Sequence, residues 1–430
     1  MKQSIEQRLE HYFDRLWPIC RSLTGDGVRQ SIDILKEIIP LTVHEVPTGT
    51  VVHDWTIPQE WNIKDAWIET PNGDKVACFK ENNLHLLGYS TPIDQRMAWH
   101  ELEPHLHFLP EQPDAVPYRT SYYKPQWGFC LSKHQYDALP KNGTYHVVID
   151  SSLEEGSLTY GDIVLAGEQQ EEIFFSSYIC HPSLANNELS GPLVQAFLYE
   201  YVSQLKTRRY SYRFLLAPET IGSIAYLSEH GPHLRDTMKA GYILTCVGLP
   251  QSIRYKRSRD GDAYNDRVAA RVLENNKFGI DYKFVDFFPF GSDERQYCSP
   301  GYNLPIGSIV RGMYGEYPEY HTSLDDKSLL SFNALNQVLE LYKSIVDTIE
   351  ADVFYRRTDP FCEPQLGKRG IYPQTGGDNI SQQTHALLWI LNLSDANTCL
   401  EDIVRRSGLS INLLQQASQT LLHNGLINQV

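Results

Sequence analysis

The chain has 430 residues, room for two to four domains at ~100–200 residues each. Its composition, 41% hydrophobic and 21% charged, is that of an ordinary globular protein, which excludes disorder and collagen-like or low-complexity architecture for most of the length. Thirty-eight Lys and Arg against 53 Asp and Glu leave a formal charge of -15, so phosphate backbones and anionic lipid are repelled and nucleic acid is a poor partner.

The N-terminal MKQSIEQRLEHYFDRL alternates charged and apolar residues at helical spacing and lacks the apolar stretch of an export signal. No window approaches the ~20 apolar residues of a bilayer span, so no membrane partner is expected. Eight scattered cysteines (Cys20, Cys78, Cys130, Cys180, Cys246, Cys298, Cys362, Cys399) form no CxxC pair, the pattern of reduced thiols in a cytoplasmic protein. Two amphipathic helices, Ile5–Trp17 and Val28–Ile39, are predicted on either side of Pro18 and the SLTGDG turn.

Residues 46–153 read as an inserted β-rich domain, with runs such as VVHDWTI, DAWIET and TYHVVID between PNGDK, ENN and PKNG turns. Residues 1–45 and 154–350 read as an α/β domain. Strand-like runs (DIVLAG, EIFFSSYI, YSYRFLLA, AGYILTCVG) alternate there with helical ones (GPLVQAFLYEYVSQL, SIAYLSEHG, DRVAARVLENN), and a helix near Asn333–Glu350 closes the domain. Residues 351–380, with DPFCEPQLGKRGIYPQTGGDN, read as a linker, and residues 381–430 as a winged helix-turn-helix. Its candidate recognition helix, Ile411–Asn424, carries no Lys or Arg, and the unit sets only Arg405 and Arg406 against Asp395, Glu401 and Asp402. A docked protein partner or a structural role is expected over DNA.

Phosphate-loop, GxSxG and HExxH signatures are absent. The run from His100 to His107 is rich in ligand-type side chains, but Pro104 interrupts the helix an HExxH-like site needs, and a solvated turn is the better reading. Four polar clusters instead follow apolar runs of the α/β domain, at the edge where open sheets bind ligands. CHPSLANNELSGP brings His181, Asn187 and Glu188; PETIGS brings Glu219; GSDERQY brings Asp293 and Arg295; YHTSLDD brings His321 with Asp325 and Asp326. A histidine and an acid close behind it can share one cation, although a lone strand-end histidine is more often only hydrogen-bonded. Glu219 suits a general base or a metal ligand, and equally a helix N-terminal carboxylate. Tyr118, Arg119, Tyr122, Tyr123 and Trp127 of the insertion could line a sugar-stacking pocket or pack an interface.

These blocks, with VPYRTSYY and WGFCLS of the insertion, resemble a family of bacterial aminopeptidase-like proteins. That family is related to the two-zinc M28 exopeptidases and carries an inserted β domain and a C-terminal winged helix. The resemblance covers essentially the whole chain and implies an α/β fold: a zinc-aminopeptidase-like (phosphorylase/hydrolase-like) mixed sheet with helices on both faces. It also implies an association with surface-polysaccharide biosynthesis. His181 and His321 match the two ligand histidines of the exopeptidases, and Glu219 the region of the catalytic glutamate. Three positions depart: Asn187 replaces the bridging aspartate, one acid replaces the Glu-Glu pair, and Cys246 stands where an aspartate is expected.

Two Zn²⁺ ions would bring four positive charges that the remaining carboxylates do not offset, so one ion is expected, on His181, His321 and Glu188. Glu219 is then the expected catalytic base, and Arg119, Tyr122, Asn187, Asp293 and Arg295 contact substrate, the guanidiniums matching a carboxylate or phosphate. The expected function is hydrolysis of an amide in a small peptide or an N-acylated sugar derivative. The alternative is a non-catalytic ligand-binding scaffold whose winged helix docks a protein partner. Transcription regulation through the tail is a third reading.

Overall fold

The computed structural model describes residues 3–275, 277–371 and 381–430. The chain divides into two compact units, Met1–Ile345 and Val346–Val430. The first is built on an eight-stranded mixed sheet. Its strands run in the order Thr42–Pro47, Ser157–Leu165, Ser211–Ala217, Glu172–Tyr178, Met238–Leu244, Ile306–Val310, Ile253–Lys256, Tyr282–Val285. Four central strands are mutually parallel, while the joins to Ser157–Leu165 and to Ile253–Lys256 are antiparallel. Every residue of Glu172–Tyr178 is buried, which explains the unalternating EIFFSSY: both faces of this strand are covered.

The first helix spans Ile5–Leu16, where Ser4 and Gln7 form a reciprocal cap and Leu9, Phe13 and Leu16 make the buried stripe. The second spans Asp26–Leu35, two residues ahead of its expected start, because the chain turns directly out of Gly25. The Ser190–Ser203 helix lies hard against the sheet: a Cβ on Gly191 would fall 2.1 Å from the Leu244 carbonyl oxygen, an approach only glycine permits. The π-type turn Ala185–Leu189 that precedes it is thereby held over the C-terminal edge of the parallel strands.

The strands Ile253–Lys256, Tyr282–Val285 and Ile306–Val310 are absent from the sequence reading. Each has only four or five residues, too few to display a period. The insertion forms a four-stranded antiparallel sheet in the order Lys75–Val76, Glu60–Glu69, Thr144–Glu154, Ile93–Ala98. It does not separate as a compact unit, since one continuous core joins its Trp61, Ile68 and Tyr145 to Phe174, Tyr226 and Tyr297 of the α/β part.

In the second unit the helices Gln382–Leu393, Leu400–Ser407 and Ile411–His423 enclose a core that includes Leu387, Ile403, Leu414 and Leu421. Gly408, at φ 70°, ends the middle helix. Its sheet runs Asp395–Cys399, Phe354–Arg357, Ile427–Gln429, which corrects the expected linker: Phe354–Arg357 lies within residues 351–380 yet is the central strand. Four residues ahead of Pro360 give too short a signal to be read as one. Residues 372–380 of that expected linker lie outside the described residues. Among the described residues, no helix is long and apolar enough to cross a membrane. None of the eight cysteines is in a disulfide.

Candidate active site

His181 follows the buried Glu172–Tyr178 strand by three residues, and its ring meets Glu188 from the Ala185–Leu189 turn, with Nδ1 2.9 Å from Oε2. A carboxylate only accepts, so Nδ1 carries the proton and Nε2 is the free pole. Behind the pair sits a residue sequence reasoning missed, Arg21 of the turn between the first two helices. Its side chain is fully buried, donates to the carbonyls of His181 (3.0 Å) and Leu16 (2.7 Å), and stands 3.6 Å from Glu188 Oε1. Burial pulls the Arg21 pKa down while Glu188 supports its charge. The only sequence signal was an arginine lodged in CRSL without a nearby acid.

Glu219 follows the Ser211–Ala217 strand. Its Oε2 lies 3.7 Å from His181 Nε2, and its backbone N–H donates to Cys180 Sγ at 3.2 Å. Thr220, at φ 64° and ψ -76°, opens the Ile221–Thr237 helix. Asp293 clamps that corner, its Oδ1 accepting from Thr220 N (2.7 Å) and Ser223 Oγ (3.1 Å), and Arg295 Nη2 donates to Thr220 Oγ1 at 2.9 Å.

The insertion brings His321 in. The Tyr118 N–H donates to the His321 carbonyl (2.8 Å), Ser323 N–H to the Val116 carbonyl (2.8 Å), and Val116 N–H to Ser323 Oγ (3.0 Å). The His321 and His181 rings are 5.4 Å apart, with Tyr118 packed on both, 5.0 Å from His181 and 5.2 Å from His321. Asp325 ties the two loops together by accepting from the backbone N–H groups of Asn186 (2.7 Å) and Asn187 (3.0 Å). Ser183, Thr220, Cys246 and His321 all hold positive φ, a concentration of backbone strain of the kind kept at functional sites.

A cavity of about 420 Å³ opens onto these groups. Tyr118, Arg119, Tyr122, Tyr123, Cys180, His181, Glu219, Arg295 and His321 line it, along with Trp55. Three expected contacts lie outside the lining. Glu188 is wholly buried behind His181, because Arg21 and Nδ1 claim its carboxylate. Asn187 turns inward, its Nδ2 donating to Tyr178 OH at 2.9 Å. Asp293 is spent on the Thr220 corner. Of the aromatic segment, Trp127 instead stacks on His105 at 3.7 Å, and His107 meets Arg119 at 3.0 Å, so the His100–His107 run assembles no ligand cluster.

Burial, with His181 alongside, lowers the His321 pKa to about 3, leaving a neutral imidazole whose buried Nε2 has no hydrogen-bond partner among the described residues. Burial opposes a charge on His181, but Cys180 and Glu188 beside it hold its pKa well above the ordinary value. Burial pushes the Glu219 carboxyl up against the pull of His181 and Arg295, and it lifts Asp293, with Glu219 close by, to about 8. His181 Nε2 facing a carboxylate oxygen calls for a positive charge between them, a proton or a metal ion.

The site offers few carboxylates to a pair of ions: Asn187 and Cys246, expected from the resemblance to stand in for aspartates, face each other at 3.9 Å, and the Arg21 guanidinium stands 3.6 Å from Glu188. Cys180, His181 and Glu188 bring ligand-type atoms within 4.8 Å of one another, but His181 Nδ1 is taken by Glu188 Oε2 and the Arg21 guanidinium stands against the carboxylate at 3.6 Å. A single ion asks less of the site: His181 Nε2 stands 3.7 Å from Glu219 Oε2, beyond hydrogen-bond distance, the buried His321 Nε2 has no hydrogen-bond partner among the described residues, and Glu188 orients the His181 ring from the opposite nitrogen, as outer carboxylates do for metal-bound histidines.

The chain is similar to several known proteins. The domain of unknown function DUF4910 matches residues 10–352, and a winged helix-turn-helix family matches residues 353–429. A Clostridium acetobutylicum protein named for polysaccharide biosynthesis and an aminopeptidase-like domain is 47% identical over 418 residues, 97% of this chain and 95% of its own. A crystal structure from the same species, described as a peptidase, superposes with a TM-score of 0.82 at 44% identity, over 99% of this chain and 96% of that one. A zinc aminopeptidase of Bacillus subtilis shares the fold, with a TM-score of 0.59 at 10% identity over 80% of this chain and 93% of its own.

Proposed function

We propose, for a chain that belongs to the DUF4910 family and has the aminopeptidase-like fold, a cytoplasmic hydrolase that cleaves an amide in a small substrate with one Zn²⁺ held by His181 and His321. The observation that carries this reading is the pair of imidazoles lining the cavity, their rings 5.4 Å apart, with the buried His321 Nε2 lacking a hydrogen-bond partner among the described residues and His181 Nε2 facing Glu219 at 3.7 Å. Zinc bound there would polarise the scissile carbonyl and make water more acidic. Glu219 takes a proton from water in the cavity and returns it to the leaving amine, a task suited to a carboxyl whose pKa burial has raised. Glu188 fixes the His181 ring, and Arg21 fixes Glu188. Tyr118 and Tyr122 share one hydroxyl proton over 2.7 Å, which leaves the other to donate to a carbonyl oxygen.

Two imidazoles make a weaker site than the usual three ligands of catalytic zinc, so the ion is expected to leave on dialysis against chelator and to return at one per chain. Metal analysis after zinc titration of the wild type and of a His181→Ala, His321→Ala double variant tests this. No stoichiometric uptake by the wild type, or equal uptake by the double variant, rejects the zinc site.

Asn187 and Cys246, which replace carboxylates, favour a second reading, a ligand-binding scaffold in a polysaccharide pathway like that named for the relative. Loss of turnover on Glu219→Gln with zinc retained decides for the hydrolase. The winged helix is read as a protein-docking module, because its Ile411–His423 helix carries no Lys or Arg to meet phosphate.

A further inference from the structure

The cavity's charge is at odds with a substrate that carries a free amine. An aminopeptidase must hold its substrate's ammonium with carboxylates, and here those are spoken for: Glu188 by Arg21 and His181, Asp293 by Thr220 and Ser223, Asp325 by the Asn186 and Asn187 amides. Glu219 is the one carboxylate in the lining, and the proposed reaction uses it as the base. Against it stand two guanidiniums in the same lining, Arg119 and Arg295. Among the described residues neither lies within ion-pair distance of a carboxylate. Arg119 touches His107 Nδ1 at 3.0 Å and Arg295 touches Thr220 Oγ1 at 2.9 Å, both uncharged acceptors as those arginines meet them. Arg295 Nε is buried with no hydrogen-bond partner among the described residues.

Carboxylate and phosphate are the groups that satisfy such forks, through paired charge-assisted hydrogen bonds. A positive pocket in a chain of formal charge -15 also concentrates anions locally. Trp55, Tyr122 and Tyr123 supply apolar ring faces, and about 420 Å³ suits a small molecule at the lower end of ordinary ligand pockets.

Resting on the hydrolase reading, we infer that the substrate is a small N-acylated acid, its amine already blocked as the amide to be cleaved and its carboxylate or phosphate held by Arg295 and Arg119. The chain is then an amidase of acidic substrates, not a remover of N-terminal amino acids. Water adds to the amide carbonyl and the C–N bond breaks. The acyl group leaves as a carboxylic acid and the nitrogen as an amine, whose proton comes from Glu219, with no redox partner required.

Titration calorimetry on the zinc-loaded full chain tests this with four probes: N-acetylmuramic acid, N-acetylglucosamine 6-phosphate, uncharged N-acetylglucosamine, and leucinamide. At least one acidic probe is expected to bind about tenfold or more tightly than the uncharged sugar, the scale of a charged hydrogen-bonded contact. The two acidic arms tell carboxylate from phosphate. Arg295→Ala and Arg119→Ala should each erode that preference, and Arg295→Lys should restore it only in part. Equal binding of charged and uncharged sugars, no binding by either acid, or tighter binding of leucinamide overturns the inference. Turnover, followed separately as acetate release from the N-acetyl probes and ammonia release from leucinamide, isolates the underlying reading: tight binding of an acid without turnover sinks the hydrolase but leaves the anion preference standing, and turnover of leucinamide alone does the reverse.

Discussion

The same two parallel strands carry a buried cluster of arginine, histidine and carboxylate at each end, and the clusters are finished differently. At the N-terminal end, Arg213 donates to both oxygens of Glu172 (2.6 and 3.0 Å) and to Asp162 (3.3 Å) and Tyr226 (2.9 Å). His233 closes on Glu172 at 2.8 Å and His44 on Asp162 at 2.9 Å, so every nitrogen of the guanidinium and every oxygen of the two acids is partnered. At the C-terminal end, Arg21 Nη2, Glu188 Oε1, Arg295 Nε and His321 Nε2 are buried without a hydrogen bond among the described residues. A closed network of this kind holds a fold together. An open one keeps binding capacity in reserve, and buried polar atoms left open are the ones that point to a ligand.

Breaking the open end should cost activity and leave the fold intact. Glu219→Gln is expected to lower kcat by about 10²–10⁴ with the melting temperature unchanged, read from turnover and a thermal scan on one preparation. A comparable loss of stability would mean the carboxylate is structural. The closed end should behave in the opposite way. Arg213→Ala takes from two buried carboxylates the guanidinium they share and is expected to cost about 3–5 kcal/mol by urea unfolding, with KM of the surviving folded protein unaltered.

Arg21 joins the two behaviours, since it is buried like Arg213 but acts through Glu188 on the open site. Arg21→Ala should reduce zinc affinity about 10–100-fold, the range for loss of an outer orienting group, in a chelator competition. Arg21→Lys should recover little of this, because a single ammonium cannot reach His181, Leu16 and Glu188 together. Unchanged zinc affinity in Arg21→Ala would show that Glu188 orients the ring unaided.

The smallest expected effect is a contrast in pH dependence. Burial opposes the Glu172 charge, but Arg213 and His233 outweigh it and hold its pKa below the usual carboxylate value. Its stabilisation is therefore present above the unfolded pKa and is lost as pH falls through the folded one. Burial raises Asp325 to about 6, so its contribution is full below the unfolded value near 3.8 and declines as pH rises to about 6. Unfolding free energies between pH 3 and 7 for the wild type, Glu172→Gln and Asp325→Asn should show the two differences moving with pH in opposite senses.

The sequence by itself marked His181, Glu219, Arg295 and His321. Each follows an apolar run or sits in a glycine-flanked loop, and the polarity of such a position is written in its immediate neighbours. It also conveyed the winged-helix tail, whose helices carry their own periodicity, and the alternation that builds the large sheet. Arg21, the inward turn of Glu188 and Asn187, and the hold of Val116–Tyr118 on the His321 loop were decided only by the tertiary structure. Those roles depend on partners 160 positions away for Arg21 and His181 and 207 for Val116 and Ser323. Local pattern tells a residue that it will be buried or exposed. Which charge it meets there is fixed by chain segments that only folding brings together.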